Sequence, residues 1–318
     1  IYNGSTITTA EIDSILMETN RRLNLQSPET AFVVPYFQPV IGNISVELRR
    51  ASLDTNGNCF NGIIYHNLVN GLNGPMVFPN YAFNPNHYLN VHINQAVNSF
   101  LPGAFAYFPE PYSNPANQND GIIFRLSSLF NGKTMVHEVG HFHGLLHTFG
   151  LTNTTGGGCG NDFVSDTPPT NGSPGDCNTA TMICTPGVPE NVQNHMDYSD
   201  DPCRIMFTAG QAGRVDGILN DLSLSRKDIW QLPNLIATGV DTIEQCNMFS
   251  GQIIYQPNGT QSCSVPEQFN FVLWSKYSNP DSVLWTTSEG IISNPENEEI
   301  TITFGSQGAK LIGLTCYY

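Results

Sequence analysis

The stretch Met135-Val-His-Glu-Val-Gly-His-Phe-His-Gly-Leu-Leu-His147 constrains this chain more than any other. On a helix, His137 and His141 lie four residues apart and project from one face. Two neutral imidazoles in that relation hold one zinc ion, with Glu138 beside them and not itself a ligand. Gly144 lets the chain leave the helix through a left-handed conformation, and the turn carries His147 back to the metal from another direction. Three nitrogen ligands leave the fourth tetrahedral position to water, the open arrangement of a catalytic zinc site. A bare HExxH recurs as ordinary amphipathic helix surface, but the long form fixes five positions at once and is far more specific. His143 falls off the shared face and reads as a bystander.

Length allows one large or two medium domains, because 318 residues give ample chain for a core. A hydrophobic fraction of 40% is that of a globular protein, while 12% charged residues and abundant Gly and Pro indicate many turns. A net charge of −15 argues against a nucleic-acid surface or an anionic-membrane anchor, and suits calcium sites and basic substrates. No apolar run approaches the roughly 18 residues of a membrane span. Ile1-Tyr-Asn-Gly-Ser is not the start of a signal peptide. The eight cysteines contain no CxxC pair, so with zinc assigned to histidines they read as disulfides in a secreted protein.

Thr8-Thr-Ala-Glu11 is a capping box, and Ile12, Ile15, Leu16, Thr19 and Leu23 follow with helical spacing, predicting a helix ending near Asn24. Ala31–Phe37, Ile44–Leu48 and Tyr88–Ile93 read as strands, with a turn at Asp54–Asn58. Gly103–Pro109 reads as a strand stopped by proline, which suits a sheet edge, and Gly121–Phe124 as a short buried strand before the metal helix. Strands mixed with two long helices point to α/β packing. A long irregular region from Thr148 to about Asn194 follows, bracketed by four cysteines.

Downstream, Asn194-His-Met-Asp-Tyr-Ser-Asp-Asp-Pro-Cys203 places Met196 and Tyr198 after the zinc motif. The long zinc motif followed by a Met-containing turn resembles the metzincin signature. Together with Asp162-x-Val-x-Asp-Thr-Pro168 and Phe207-Thr-x-Gly-Gln211, these stretches resemble the pappalysin-type metzincin endopeptidases over roughly residues 5 to 240. That resemblance implies a twisted mixed sheet with an active-site helix, His137, His141 and His147 as zinc ligands, and Glu138 as general base and acid. It implies Met196 as the apolar floor beneath the metal and Tyr198 facing it, where a phenol can donate to an oxyanion. It also implies a supporting calcium ion on Asp162, the Ser165 carbonyl and Thr167, and pairing of Cys159 with Cys184 and Cys177 with Cys203. From the residues alone, four cysteines leave three pairings open. Asp200 and Asp201 fall where metzincins build the wall of the pocket after the scissile bond, and would favour Arg or Lys there. Relatives begin with a central strand whose residues would precede Ile1.

Leu232–Gly239 reads as a linker, dividing the chain into a catalytic domain over 1–238 and a second domain over 239–318. Beyond it Phe269–Leu273, Ser282–Trp285, Ile300–Phe304 and Lys310–Leu314 are short strands, suggesting a small all-β sandwich that resembles a PKD-like, immunoglobulin-like module. Trp274 and Trp285 read as core rather than as a glycan-binding face, and Cys263 has Cys316 or Cys246 as candidate partners. The expected function is a secreted zinc endopeptidase acting on proteins or peptides, plausibly as a monomer. The rivals are an inactive zinc-stabilised adhesion protein and a zinc hydrolase of a non-peptide amide; an intact Glu138 counts against the first.

Overall fold

The computed structural model describes residues 7–66, 82–94, 103–109, 120–130, 133–241, 252–257, 267–274, 282–288, 290–296, 299–304 and 312–317. Its contacts divide the chain after Thr242 into two units.

The first unit opens with α1 (Thr9–Leu23), started by the expected capping box between Thr8 and Glu11 and stopped at Asn24. Ile12, Ile15 and Leu16 turn its apolar face to the core, where Leu23 is buried. Ala31–Phe37 is not a strand: Pro28–Phe32 forms a 3₁₀ turn, for which Pro28 at its first position is suited. A second 3₁₀ turn at Gln38–Val40 leads into β1 (Ile41–Gly42). Ile44–Leu48 alternates in burial as predicted, yet is no strand of a sheet. Its backbone is held by amide side chains of α1: Asn20 bonds both ways with Leu48 at 2.7 and 2.8 Å, and Asn24 donates to the Val46 carbonyl at 2.9 Å.

β2 (Val91–Asn94), β3 (Ala104–Ala106) and β4 (Ile122–Arg125) form a sheet in the order β2-β4-β3, parallel between β2 and β4 and antiparallel between β3 and β4. β4 is central, so Ile122, Ile123 and Phe124 are buried on both faces, each contributing about 1.5–3 kcal/mol by burial. Among the described residues β3 lies at the edge of the sheet, and it gives way to Pro109, as its sequence predicts. The short helix α2 (Leu126–Leu129) leads to α3 (Thr134–Phe142), whose residues from Met135 onward are all buried. β5 (Phe207–Thr208) pairs antiparallel with β1 and feeds α4 (Ala209–Asn220), which carries its own capping box between Thr208 and Gln211.

Arg226 fastens these parts together. Fully buried, it pairs with Asp120 just before β4, donates to the Phe142 carbonyl at the end of α3 and to the Tyr107 carbonyl beyond β3, and stacks on the Phe142 ring at 3.5 Å. The expected linker at Leu232–Gly239 is instead α5 (Leu232–Ala237), with Pro233 in its first turn; Ser52 and Leu53 then hydrogen-bond the Thr238 carbonyl.

The second unit, Ile243–Tyr318, contains β6 (Gln252–Pro257), β7 (Glu267–Trp274), β8 (Ser282–Thr287), β9 (Ile291–Ser293), β10 (Glu299–Phe304) and β11 (Ile312–Tyr317). One antiparallel sheet has the order β6-β7-β10-β9, and β11 pairs antiparallel with β8. Trp285 is buried there, on the core side of the alternatives for it. Cys246, Cys263, Lys310 and the Trp274 side chain lie outside the described residues.

Candidate metal centre

α3 supplies the first two histidines from adjacent turns, their rings edge-to-face with centroids 4.6 Å apart. Gly144 takes φ +83, so the helix ends there and the chain returns through Leu145, whose amide bonds the Gly140 carbonyl. His147 then meets the pair from outside the helix, and one nitrogen from each of the three lies within 4.8 Å of the others.

The hydrogen bonds fix which nitrogen faces inward. Nδ1 of His137 lies 2.7 Å from the His195 carbonyl, Nδ1 of His141 2.7 Å from the Leu145 carbonyl and Nδ1 of His147 2.9 Å from the Thr152 carbonyl. A carbonyl only accepts, so each Nδ1 carries the proton and each Nε2 presents a bare lone pair. Nε2 of His141 and Nε2 of His147 stand 3.0 Å apart, where two lone pairs repel unless a cation lies between them. Burial pushes the histidines towards the neutral form, His137 well down, His141 to about 3 and His147 to about 4. Neutral, oriented, convergent imidazoles with protein carbonyls behind them fit a divalent metal of the zinc type.

Glu138 is buried on the same helix, and its Oε2 has no hydrogen-bond partner among the described residues. Burial raises its carboxyl to about 8, opposed by the positive charge of Arg204. Tyr198 is 37% exposed, with its ring 4.6 Å from His147 and 5.8 Å from His137. Burial pushes its phenol up to about 12, so it is a donor at neutral pH. His143 stays outside the triad, as expected, donating from Nδ1 to the Val139 carbonyl one turn back.

Met196 is fully buried against α3: a Cβ on Gly140 would lie 2.4 Å from its Sδ, so helix and turn approach this closely only because residue 140 is glycine. Sequence reasoning missed what holds that turn. Asn194 receives the Met196 amide, and its amide group exchanges hydrogen bonds with Gln211, the capping residue of α4. The signal was present in Thr208-x-x-Gln211, which reads as a cap without revealing its second partner.

Cys159–Cys184 and Cys177–Cys203 are bonded, closing the long loop onto the residues after Met196. Cys59 is also disulfide-bonded. Asp162 is buried, accepts from the Val164 amide and Gln211, and is raised to about 6 by burial; Thr167 is buried nearby, while Ser165 is exposed. Asp201 is ion-paired with Arg204, whereas Asp200 is exposed. A cavity of about 710 Å³ lies elsewhere, between α1, residues 45–51 and β2; it takes Met135, Phe142 and His143 from α3 but none of the three converging histidines.

A mixed α/β unit with a three-histidine centre, a buried glutamate and a methionine turn defines a metzincin-like metalloprotease fold. Residues 75–220 match the family model described as Pregnancy-associated plasma protein-A (Peptidase_M43). An extracellular metalloprotease of Arthroderma otae is 37% identical over 139 residues, covering 40% of this chain and 49% of that protein. One of Neurospora crassa is 35% identical over 145 residues, covering 42% and 48%. The chain thus spans about half the length of the curated relatives it matches. Mature mirolysin of Tannerella forsythia, solved with a cleaved peptide, superposes with a TM-score of 0.65 at 27% identity, covering 74% of this chain and 94% of that one.

Proposed function

We propose that this chain is a secreted zinc endopeptidase that hydrolyses peptide bonds in proteins. The observation that carries the reading is the convergence of three unprotonated Nε2 atoms beside the buried Glu138 side chain. His137, His141 and His147 would hold a zinc ion, which when bound would supply a Lewis acid, an activated water and a positive charge favouring the ionised Glu138 carboxyl. Glu138 takes the proton from the attacking water and passes it to the departing amine. The Tyr198 phenol, half-exposed beside His147, donates to the oxyanion that develops on the scissile carbonyl. Edge strand β3 gives an extended peptide a strand to pair with, which supplies main-chain affinity with little sequence demand. The cleaved peptide in the mirolysin structure and the extracellular names of the curated relatives support substrate class and location.

Of the two acidic residues after the Met turn, Asp201 is neutralised by Arg204, so Asp200 carries the proposed preference for Arg or Lys after the cut. Calcium at Asp162, Ser165 and Thr167 and a PKD-like module in the C-terminal unit remain part of the proposal. No described helix is long and apolar enough to cross a membrane.

A peptide library digested by the native chain and by Glu138→Ala, then read by mass spectrometry, tests this. Cuts from the native chain and a loss of about 10²–10⁴ in rate with zinc retained are expected. An equally active Glu138→Ala would remove the residue from the mechanism, and a zinc-loaded native chain that cuts nothing would favour an adhesion protein. Arg or Lys after the cut, weakened in Asp200→Ala, is the expected pattern.

A further inference from the structure

The three histidines are not equally supported. His137 and His141 ride on a buried helix, and the carbonyls behind them belong to His195 and Leu145, each 1% exposed. His147 lies on an irregular segment, and the carbonyl behind it belongs to Thr152, an exposed residue next to Leu151, which is 77% exposed. One hydrogen bond at Nδ1 sets the direction of an imidazole but leaves its plane free to turn about that bond. The Nε2 lone pair lies in the ring plane, so a turned ring aims it away from a metal.

Phe149 supplies the missing constraint. Residues 147–150 form a tight turn, closed by the Gly150 amide on the His147 carbonyl at 2.9 Å, which brings the two rings together while Thr148 bonds the Asp197 carboxylate at 2.8 Å. The Phe149 ring lies parallel to the His147 ring, 10° between planes and 4.7 Å between centroids. Tyr198 stands edge-on to both, 4.6 Å from His147 and 5.0 Å from Phe149. Phe149 is itself 3% exposed and cannot slide away, because Gly172 closes against it: a Cβ there would lie 2.6 Å from Phe149 Cδ1. Residue 172 belongs to the disulfide-closed loop, whose neighbouring Ser173 amide bonds Asp197.

We propose that Phe149 is a positioning residue for the third ligand: wedged between His147 and Gly172, it sets the plane of the His147 imidazole and seats Tyr198 beside it. The proposal rests on the metal-centre reading above. It makes the long loop a support for metal affinity, acting through one aromatic ring that touches neither metal nor substrate.

The test is metal binding by the full chain, without reference to activity. Dissociation constants for Zn²⁺ come from competition with a chromophoric chelator, and ligand geometry from the visible absorption of the Co²⁺-loaded chain. Phe149→Leu, which removes the ring plane, and Gly172→Ala, which pushes on the ring from behind, are each expected to weaken Zn²⁺ by about ten- to hundredfold and to shift the Co²⁺ bands. Circular dichroism of the metal-free variants checks that the fold is kept. If Phe149→Leu does not fold, Phe149→Met and Gly172→Ala carry the same comparison. Folded variants that bind Zn²⁺ within about twofold of native, with superimposable Co²⁺ spectra, overturn the proposal. A native chain that takes up no Zn²⁺ overturns the metal-centre reading instead.

Discussion

At the scale of single residues, Gly140 shows how much one missing methyl group decides. Alanine is about 1 kcal/mol better than glycine inside a helix, so Gly140→Ala would stabilise α3 in isolation. In the folded chain the added Cβ meets the Met196 sulfur at 2.4 Å, and Met196 is fully buried with nowhere to retreat. Overpacking of this kind costs about 1–3 kcal/mol. The expected result is a net loss of up to about 2 kcal/mol in chemical denaturation; a stabilised Gly140→Ala chain would show that the Met turn is looser than described. The converging His137 and His141 and the buried Glu138 were legible because spacing on a helix is itself geometry. The aromatic shell was not: Phe149 and Tyr198 are 49 residues apart in the chain, and only the folded loop brings their rings together.

Among the elements, α1, β3, β4 and α3 follow from local pattern, because their caps, prolines and apolar periodicity agree with where they pack. Ile44–Leu48 misled for a physical reason. Alternating burial is a property of any extended segment over a core, whereas a strand needs a backbone partner, and here the Asn20 and Asn24 side chains took that place. Leu232–Ala237 misled differently, since Pro reads as a linker signal but is also favoured in the first turn of a helix. The cap of α4 is the element with the longest reach, because Thr208 and Gln211 close the helix and Gln211 continues to Asn194 under the Met turn. Thr208→Ala is expected to lower stability by about 1–2 kcal/mol in urea titration. A loss too small to measure would mean that Gln211 holds the helix end without its partner.

For the whole molecule, buried histidines make stability depend on acid. His92, in the middle of β2, is held by burial at about 3, below the usual 6.5. A base whose folded pKa is depressed contributes stability that is present above 6.5 and is lost as pH falls from there towards 3, since the unfolded chain takes the proton first. The metal-free chain should therefore unfold more readily across that window, with a shallower pH dependence in His92→Gln; parallel curves for the two would place the acid sensitivity elsewhere. The shift from mixed pattern to short strands suggests a division at 238/239, and the contacts divide the chain after Thr242.

The central claim is that three histidines assemble a single catalytic metal site. It is tested most directly by stripping the native chain with a chelator, removing the chelator, and titrating Zn²⁺ back while peptide cleavage is followed. Cleavage should vanish on stripping and return in proportion to added metal, reaching its plateau at about one ion per chain, the occupancy of a three-ligand site with one open position. Cleavage that persists in the stripped chain, or that fails to return with Zn²⁺ although the fold is intact, would contradict the account.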